Sequence, residues 1–154
     1  MLFKRLQRQS GATLVEMAII APVFMLVLVG IIELSMMFFA TLTMQYAVRE
    51  GARFAITGRA NEGGTSPQQR YITIINNMRE NSLGMYERLN CAVSVNGKTY
   101  ASTGYSNAMF GGAGEMVALQ LDCAWPVTTP LLAAFFPDGK NSFAVGATMR
   151  NEYF

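Results

Sequence analysis

Lys4-Arg5-Leu6-Gln7-Arg8-Gln9-Ser10-Gly11-Ala12-Thr13-Leu14-Val15-Glu16 stands ahead of an almost uninterrupted apolar run. From Ala12 to about Thr57, Pro22 is the one strong helix breaker. A helix of that length measures roughly 70 Å at ~1.5 Å per residue, about twice the hydrocarbon thickness of a bilayer. Counted from Ala12, a ~30 Å core is used up near Glu33. The expectation is a long helix over 12–57 that spans a membrane to about residue 33. The emerging half is still apolar, with Leu34, Met36, Met37, Phe38, Phe39 and Leu42. A helix apolar all round must be covered by lipid, by the folded domain or by neighbouring helices. Further on the pattern becomes one-sided. Met44, Ala47, Val48, Gly51 and Ala55 form a seam at i, i+3 and i+4, with Gln45, Arg49 and Arg53 on another face. That seam is expected to dock on a folded domain.

Glu16 is the anomaly in the apolar run. Placing an acidic side chain inside a membrane helix costs roughly 2.5–3.5 kcal/mol on insertion scales. The carboxylate either snorkels to the interface or meets a partner, and none is near it in sequence. Glu33 is expected at the far interface. The two glutamates lie about 25 Å apart along the helix and roughly 100° apart around it, so they form no acid–base pair on one chain.

The remainder reads as one small domain. A chain of 154 residues allows one domain rather than two. Twelve basic and ten acidic residues leave a net charge of +2, which is no electrostatic footprint for nucleic acid. With no histidine, His-based triads and most catalytic zinc sites are excluded. No cofactor is expected. Gly111-Gly112-Ala113-Gly114 lacks the Lys-Ser/Thr of a phosphate loop and reads as a flexible loop.

Residues 58–66 are rich in Gly, Asn and Ser and read as a linker. Ser66-Pro67 is a helix start, with Ser as cap and Pro in the first turn. A second helix over 67–83 presents Tyr71, Ile74, Ile75 and Met78, and Gly84 is its expected stop. Strands follow. Cys91, Val93 and Val95 alternate with polar or small residues, and Asn96-Gly97 signals a hairpin into Lys98–Ala101. Val117, Leu119, Leu121 and Cys123 share one face of a strand, and Phe143, Val145, Ala147 and Met149 one face of another. The expected fold class is α+β: a 67–154 domain with a second helix and three or four antiparallel strands, covered by helices. Tyr105 and Phe110 look exposed in the 102–114 loop. The apolar cluster Leu131–Phe136 reads as a flap over the core, with an exposed contact patch as the alternative.

The leader, seam glycine and early glutamate resemble the class III signal of type IV pilins and pseudopilins. Pro22, Gly30-Ile31-Ile32-Glu33 and Arg49-Glu50-Gly51-Ala52-Arg53 narrow the likeness. The series resembles the TadE-like pseudopilins of the tight-adherence (Flp) type IV pilus system. Ala147-Thr148-Met149-Arg150-Asn151-Glu152 is similar to that family's ending, and Met17 departs from its usual aromatic. The resemblance implies a prepilin peptidase that cuts between Gly11 and Ala12, making 1–11 a cleavable leader. Glu16 becomes the fifth residue of the mature chain and an assembly contact to a neighbour's N-terminal ammonium. Pro22 either kinks the membrane helix or marks where it melts on filament assembly.

The resemblance further implies a non-enzymatic minor pseudopilin that assists pilus assembly and surface attachment. Its partners would be the peptidase, other pilins or pseudopilins, the inner-membrane assembly platform and the lipid bilayer, with no nucleic acid. Lys4, Arg5 and Arg8 are nearly matched by Arg49, Arg53 and Arg59 across the span. The resemblance therefore sets the orientation: a single-pass protein of the bacterial inner membrane, N-terminus cytoplasmic and domain periplasmic, able to enter a pilus. In that oxidising compartment Cys91 and Cys123, both on inward strand faces, are expected to pair, the alternative being two free buried thiols. A conventional secretory signal fits poorly, because the apolar run is too long. The rival function is an uncleaved single-pass anchored binding module that uses Tyr105, Phe110 or the Leu131–Phe136 cluster.

Overall fold

In the computed structural model, which describes residues 3–57 and 70–153, the first element is a single helix, α1 (Phe3–Ile56). The expected linker 58–66 and the Ser66-Pro67 helix start lie outside the described residues. Pro22 sits inside α1 without ending it. Lacking an N–H, it leaves the carbonyl of Ala18 without its usual helical donor.

The chain divides into two compact units, Met1–Met36 and Met37–Phe154. In the first, Leu14, Ile20, Phe24, Val27 and Ile32 are all exposed. Helix residues Gly11–Ile56 contain an 18-residue window of mean hydropathy 2.6, long and apolar enough to cross a membrane. No other candidate span occurs among the described residues.

The second unit holds the rest of α1, then α2 (Arg70–Glu80), a short helical turn α3 (Met85–Arg88), and four strands. These are β1 (Ala92–Val95), β2 (Lys98–Tyr100), β3 (Met116–Pro126) and β4 (Lys140–Arg150), with a one-turn helix α4 (Pro130–Ala133) between the last two. The sheet order is β2-β1-β3-β4, antiparallel throughout. Asn96 and Gly97 both have positive φ, 50° and 78°. Two such residues in succession fit the twist of a two-residue hairpin. They set β1 against β2, with Val95 opposite Lys98.

Alternation then sorts the faces. Val93, Val95, Val117, Leu119, Leu121, Cys123, Trp125 and Val145 point into the core. On the opposite face Ser94 hydrogen-bonds both Thr99 and Asp122, and Gln120 donates to Asp122. The α1 seam closes the apolar face: Met37, Ala40, Met44, Ala47, Val48, Ala52 and Ala55 are buried, and most of them share one cluster with Ile74, Ile75 and Met78 of α2. Gly51 permits the close approach of the two helices. A Cβ there would stand 2.4 Å from Met78 Cγ. Gln45 donates to the Gly146 carbonyl of β4 at 3.0 Å, which fixes helix against strand.

Cys91 and Cys123 are joined by a disulfide, Cα to Cα 4.3 Å. The register explains the meeting. Ala92 pairs with Asp122, so Cys91 and Cys123 are the next residues directly opposite. The close Cα spacing is that of a non-hydrogen-bonded antiparallel pair. The loop between them contains β1, β2 and most of β3, so the bridge restrains the denatured chain over a 32-residue separation. Replacing both cysteines with Ala is expected to lower the stability of the second unit by about 3–4 kcal/mol in the chain-entropy account. Denaturant melts of the full chain in detergent, with and without reductant, check this.

Candidate functional site

Gly11, Ala12 and Glu16 lie on α1 and are exposed. Gly11 and Glu16 are five residues apart, about 7.5 Å along the axis at the standard rise. A Cβ added at Gly11 would meet nothing within 4 Å. Glycine inside a helix costs about 1 kcal/mol relative to alanine, and here no neighbour in the chain needs the space. Among the described residues no hydrogen bond or ion pair reaches Glu16. Both residues are therefore unexplained by the chain's own packing. Glu33, expected at the far interface, lies on the same helix. It is buried, 6% exposed, and is not without an interaction.

A second face of α1 in the Met37–Phe154 unit is uncovered. Phe38, Leu42 and Tyr46, at i, i+4 and i+8, are 68%, 69% and 54% exposed. They form an apolar row on the side away from the seam.

The unit's polar centre was missed by pattern reading. Arg70, at the start of α2, is buried and donates to Ala55 in the last turn of α1, to Gly111 O at 3.1 Å and to Asn151 Oδ1 at 3.3 Å. Burial lowers its pKa from the usual guanidinium value. A cation at a helix C-terminus also meets the negative end of the helix dipole. Asn151 turns its amide the other way and donates to Phe110 O at 2.7 Å and Gly112 O at 2.8 Å. Its backbone N–H donates to Glu115 O, and the N–H of Glu152 to Ile56 O. One buried cluster thus ties together the end of α1, the start of α2, the 110–115 loop and the C-terminal segment. A signal was available: Asn151 continues the inward parity of Phe143, Val145, Ala147 and Met149, where an apolar residue is otherwise expected.

The same cluster corrects one expectation in the loop. Phe110 is fully buried rather than exposed, at the end of a short 3-10 turn over Asn107–Phe110. The glycine loop closes on its own carboxylate: Gly112 N–H donates to Glu115 Oε2 at 2.8 Å. At Gly111, φ 62°, an added Cβ would strike that same oxygen. An amide already held by Glu115 is not open to a phosphate. The flap reading of Leu131–Phe136 is also corrected. Phe136 packs on the core, but Leu131 and Phe135 are 54% and 80% exposed.

Tyr105 is half-buried and borders a cavity of about 360 Å³ with Arg79, Tyr86, Glu87, Asn90 and Tyr100. Arg79 pairs with Glu87 at 3.0 Å and lies 5.4 Å from the centroid of Tyr86. The Tyr86 and Tyr105 hydroxyls are 3.5 Å apart. Burial, and then that hydrogen bond, push the Tyr86 phenol well above the ordinary tyrosine range.

Against known proteins, residues 11–53 match the family model of TadE-like proteins, a family associated with tight-adherence pilus systems and generally non-enzymatic. The match covers Gly11, Glu16, Glu33 and the α1 seam as far as Ala52. No curated protein and no solved structure matches the chain.

Two outcomes are expected. Asn151→Ala orphans two buried carbonyls and weakens the hold on Arg70, so it should lower stability by about 2–4 kcal/mol in chemical denaturation. Stability should also fall as pH rises past ~10, because the unfolded chain releases the Tyr86 proton there while the native state retains it. Tyr86→Phe should flatten that decline in alkaline thermal melts.

Proposed function

We propose that this TadE-like chain is a minor pseudopilin of a tight-adherence type IV pilus, assisting pilus assembly and surface attachment. The observation that carries the reading is the pair Gly11 and Glu16. The first lacks a side chain that nothing in the chain excludes, and the second is an exposed carboxylate within an exposed apolar helix. Both make sense if their partners are other proteins. A membrane aspartyl peptidase would take the glycine and cut before Ala12. A neighbouring subunit's new N-terminal ammonium would then meet Glu16.

The sequence of events follows from the chemistry. Residues 1–11 serve as leader, with the N-terminus in the cytoplasm and the second unit in the periplasm. The apolar helix holds the protein in the inner membrane. Removal of the leader exposes the ammonium of Ala12, whose charge is as costly in lipid as that of Glu16. Pairing the two between subunits offsets both costs. The row Phe38-Leu42-Tyr46 supplies apolar surface for a second packed helix. Other pilins or pseudopilins and the assembly platform are the proposed partners. The chain itself performs no reaction in this scheme.

The anchored binding module remains the competing reading, and the Tyr86–Tyr105 cavity is the feature that favours it. Intact mass of the native protein separates the two. Under the pseudopilin reading the chain begins at Ala12 and Gly11→Val accumulates as full-length precursor. Recovery of the intact leader in cells with an active prepilin peptidase rejects it. Glu16→Leu should insert and be processed normally yet abolish piliation, since deleting one member of a buried charge pair costs about 3–5 kcal/mol. Glu16→Gln should be partly defective. Normal piliation by Glu16→Leu would remove the intermolecular role.

A further inference from the structure

The β3–β4 connection carries two exposed large apolar residues, Leu131 at 54% and Phe135 at 80%. From Val127 to Pro137 it holds no charged side chain. Leu131 lies on α4, and Phe135 follows that turn. Phe136 anchors the connection to the core while Phe135, beside it, is 80% exposed. Leu131 and Phe135 are thus left uncovered on a tip that is otherwise held in place.

Two contacts fix where the tip sits along the α1 portion of this unit. Ile56 O accepts from Glu152 N, and Gln45 donates to Gly146 O. Going down the helix from Ile56 to Gln45 covers about 16 Å at the helical rise. Going down the strand from Glu152 to Gly146 covers about 20 Å at the strand rise. β4 therefore runs nearly along α1 and in the same direction. From Gly146 back to Lys140 is a further ~20 Å of strand, whereas from Gln45 back to Met37 is only ~12 Å of helix. The tip thus reaches at least the level of Met37. That is the end of the unit at which the apolar segment is attached. The Asn96-Gly97 hairpin lies at the other end, where Asn96 N–H meets Ala118 O beside the Thr148 pairing.

We propose that the Leu131–Phe135 tip rests in the headgroup–acyl boundary of the bilayer that holds the chain, as a second, shallow membrane contact. The inference rests on the reading that the segment before Met37 spans that bilayer. Chain connectivity then keeps the Met37 end of the unit at the membrane surface. A bilayer matches the tip's chemistry: two large apolar side chains to bury, on a turn whose nearest charges, Asp138 and Lys140, lie beyond Pro137 and can stay among the headgroups. The contact would restrict how the domain tilts on its helix.

The test uses the full chain in vesicles of phosphatidylethanolamine and phosphatidylglycerol. Because Cys91 and Cys123 are bridged, a single added cysteine can carry an environment-sensitive fluorophore. Labels at Phe135→Cys and, separately, Leu131→Cys should emit to the blue. Nitroxide-bearing lipids should reduce their emission about two-fold, as expected for a shallow position. A label at Lys98→Cys, beside the opposite hairpin, should remain unquenched. Phe24→Cys reports on the span itself. Quenching at Phe24 with water-like emission at both tip positions overturns the inference and leaves the membrane span standing. Absence of quenching at Phe24 overturns both. Blue-shifted tip emission that nitroxide lipids do not quench means that protein covers the tip, and also overturns it. Equal quenching at Lys98 removes the oriented contact.

Discussion

Where α1 still carries large apolar residues on both sides, from Met37 to Tyr46, it has more surface to hide than a small sheet can cover. That constraint governs the Met37–Phe154 unit. A four-stranded sheet offers one apolar face, and α2 adds one stripe. Together they bury the seam of α1 from Met37 to Ala55 and leave Phe38, Leu42 and Tyr46 in the open. The buried side sets small residues, Ala40, Ala47, Gly51, Ala52 and Ala55, among Met37, Met44 and Val48, so strands and α2 can come close. The open side is built of large ones. This division suits a helix whose second side is finished by something other than its own domain. It also explains why the polar cluster at Arg70 matters. The helix ends inside the unit, and the carbonyl of Ala55 needs a donor that water cannot supply.

Much of this architecture was legible wherever a local rule and the global fold agreed. The Asn96-Gly97 turn, the alternation of β3, and the α1 seam each followed from one periodicity or one backbone preference. The facing of Cys91 and Cys123 follows from register, which the hairpin and the inward parity together imply. Phe110 was misjudged because composition alone described its neighbourhood. A Gly- and Ser-rich loop suggests exposure, yet the 3-10 turn folds that aromatic under the sheet and Asn151 holds its carbonyl. The Leu131–Phe136 cluster erred in the opposite direction. An apolar run between prolines has no period to say which members face inward, and here adjacent phenylalanines divide, one in and one out.

The candidate site and the buried polar cluster show the same split. Gly11 and Glu16 stood out because each departs from the pattern of a long apolar helix, one by lacking a side chain and the other by carrying charge. Arg70 and Asn151 did not stand out, since single polar residues near element ends are common and only their distant meeting makes them special.

The antiparallel ladder between β3 and β4 is eleven residue pairs long, from Met116–Arg150 to Pro126–Lys140. β4 lies along α1 and is fastened to it at Gly146 and, just past its end, at Glu152. Tension transmitted along this stretch of helix would therefore pull the ladder lengthwise rather than peel it from one end. Lengthwise loading strains many hydrogen bonds together, whereas peeling breaks them singly. The disulfide adds a covalent stop on the other flank of β3. Load carried along this part of α1 would thus be shared between the ladder and the bridge.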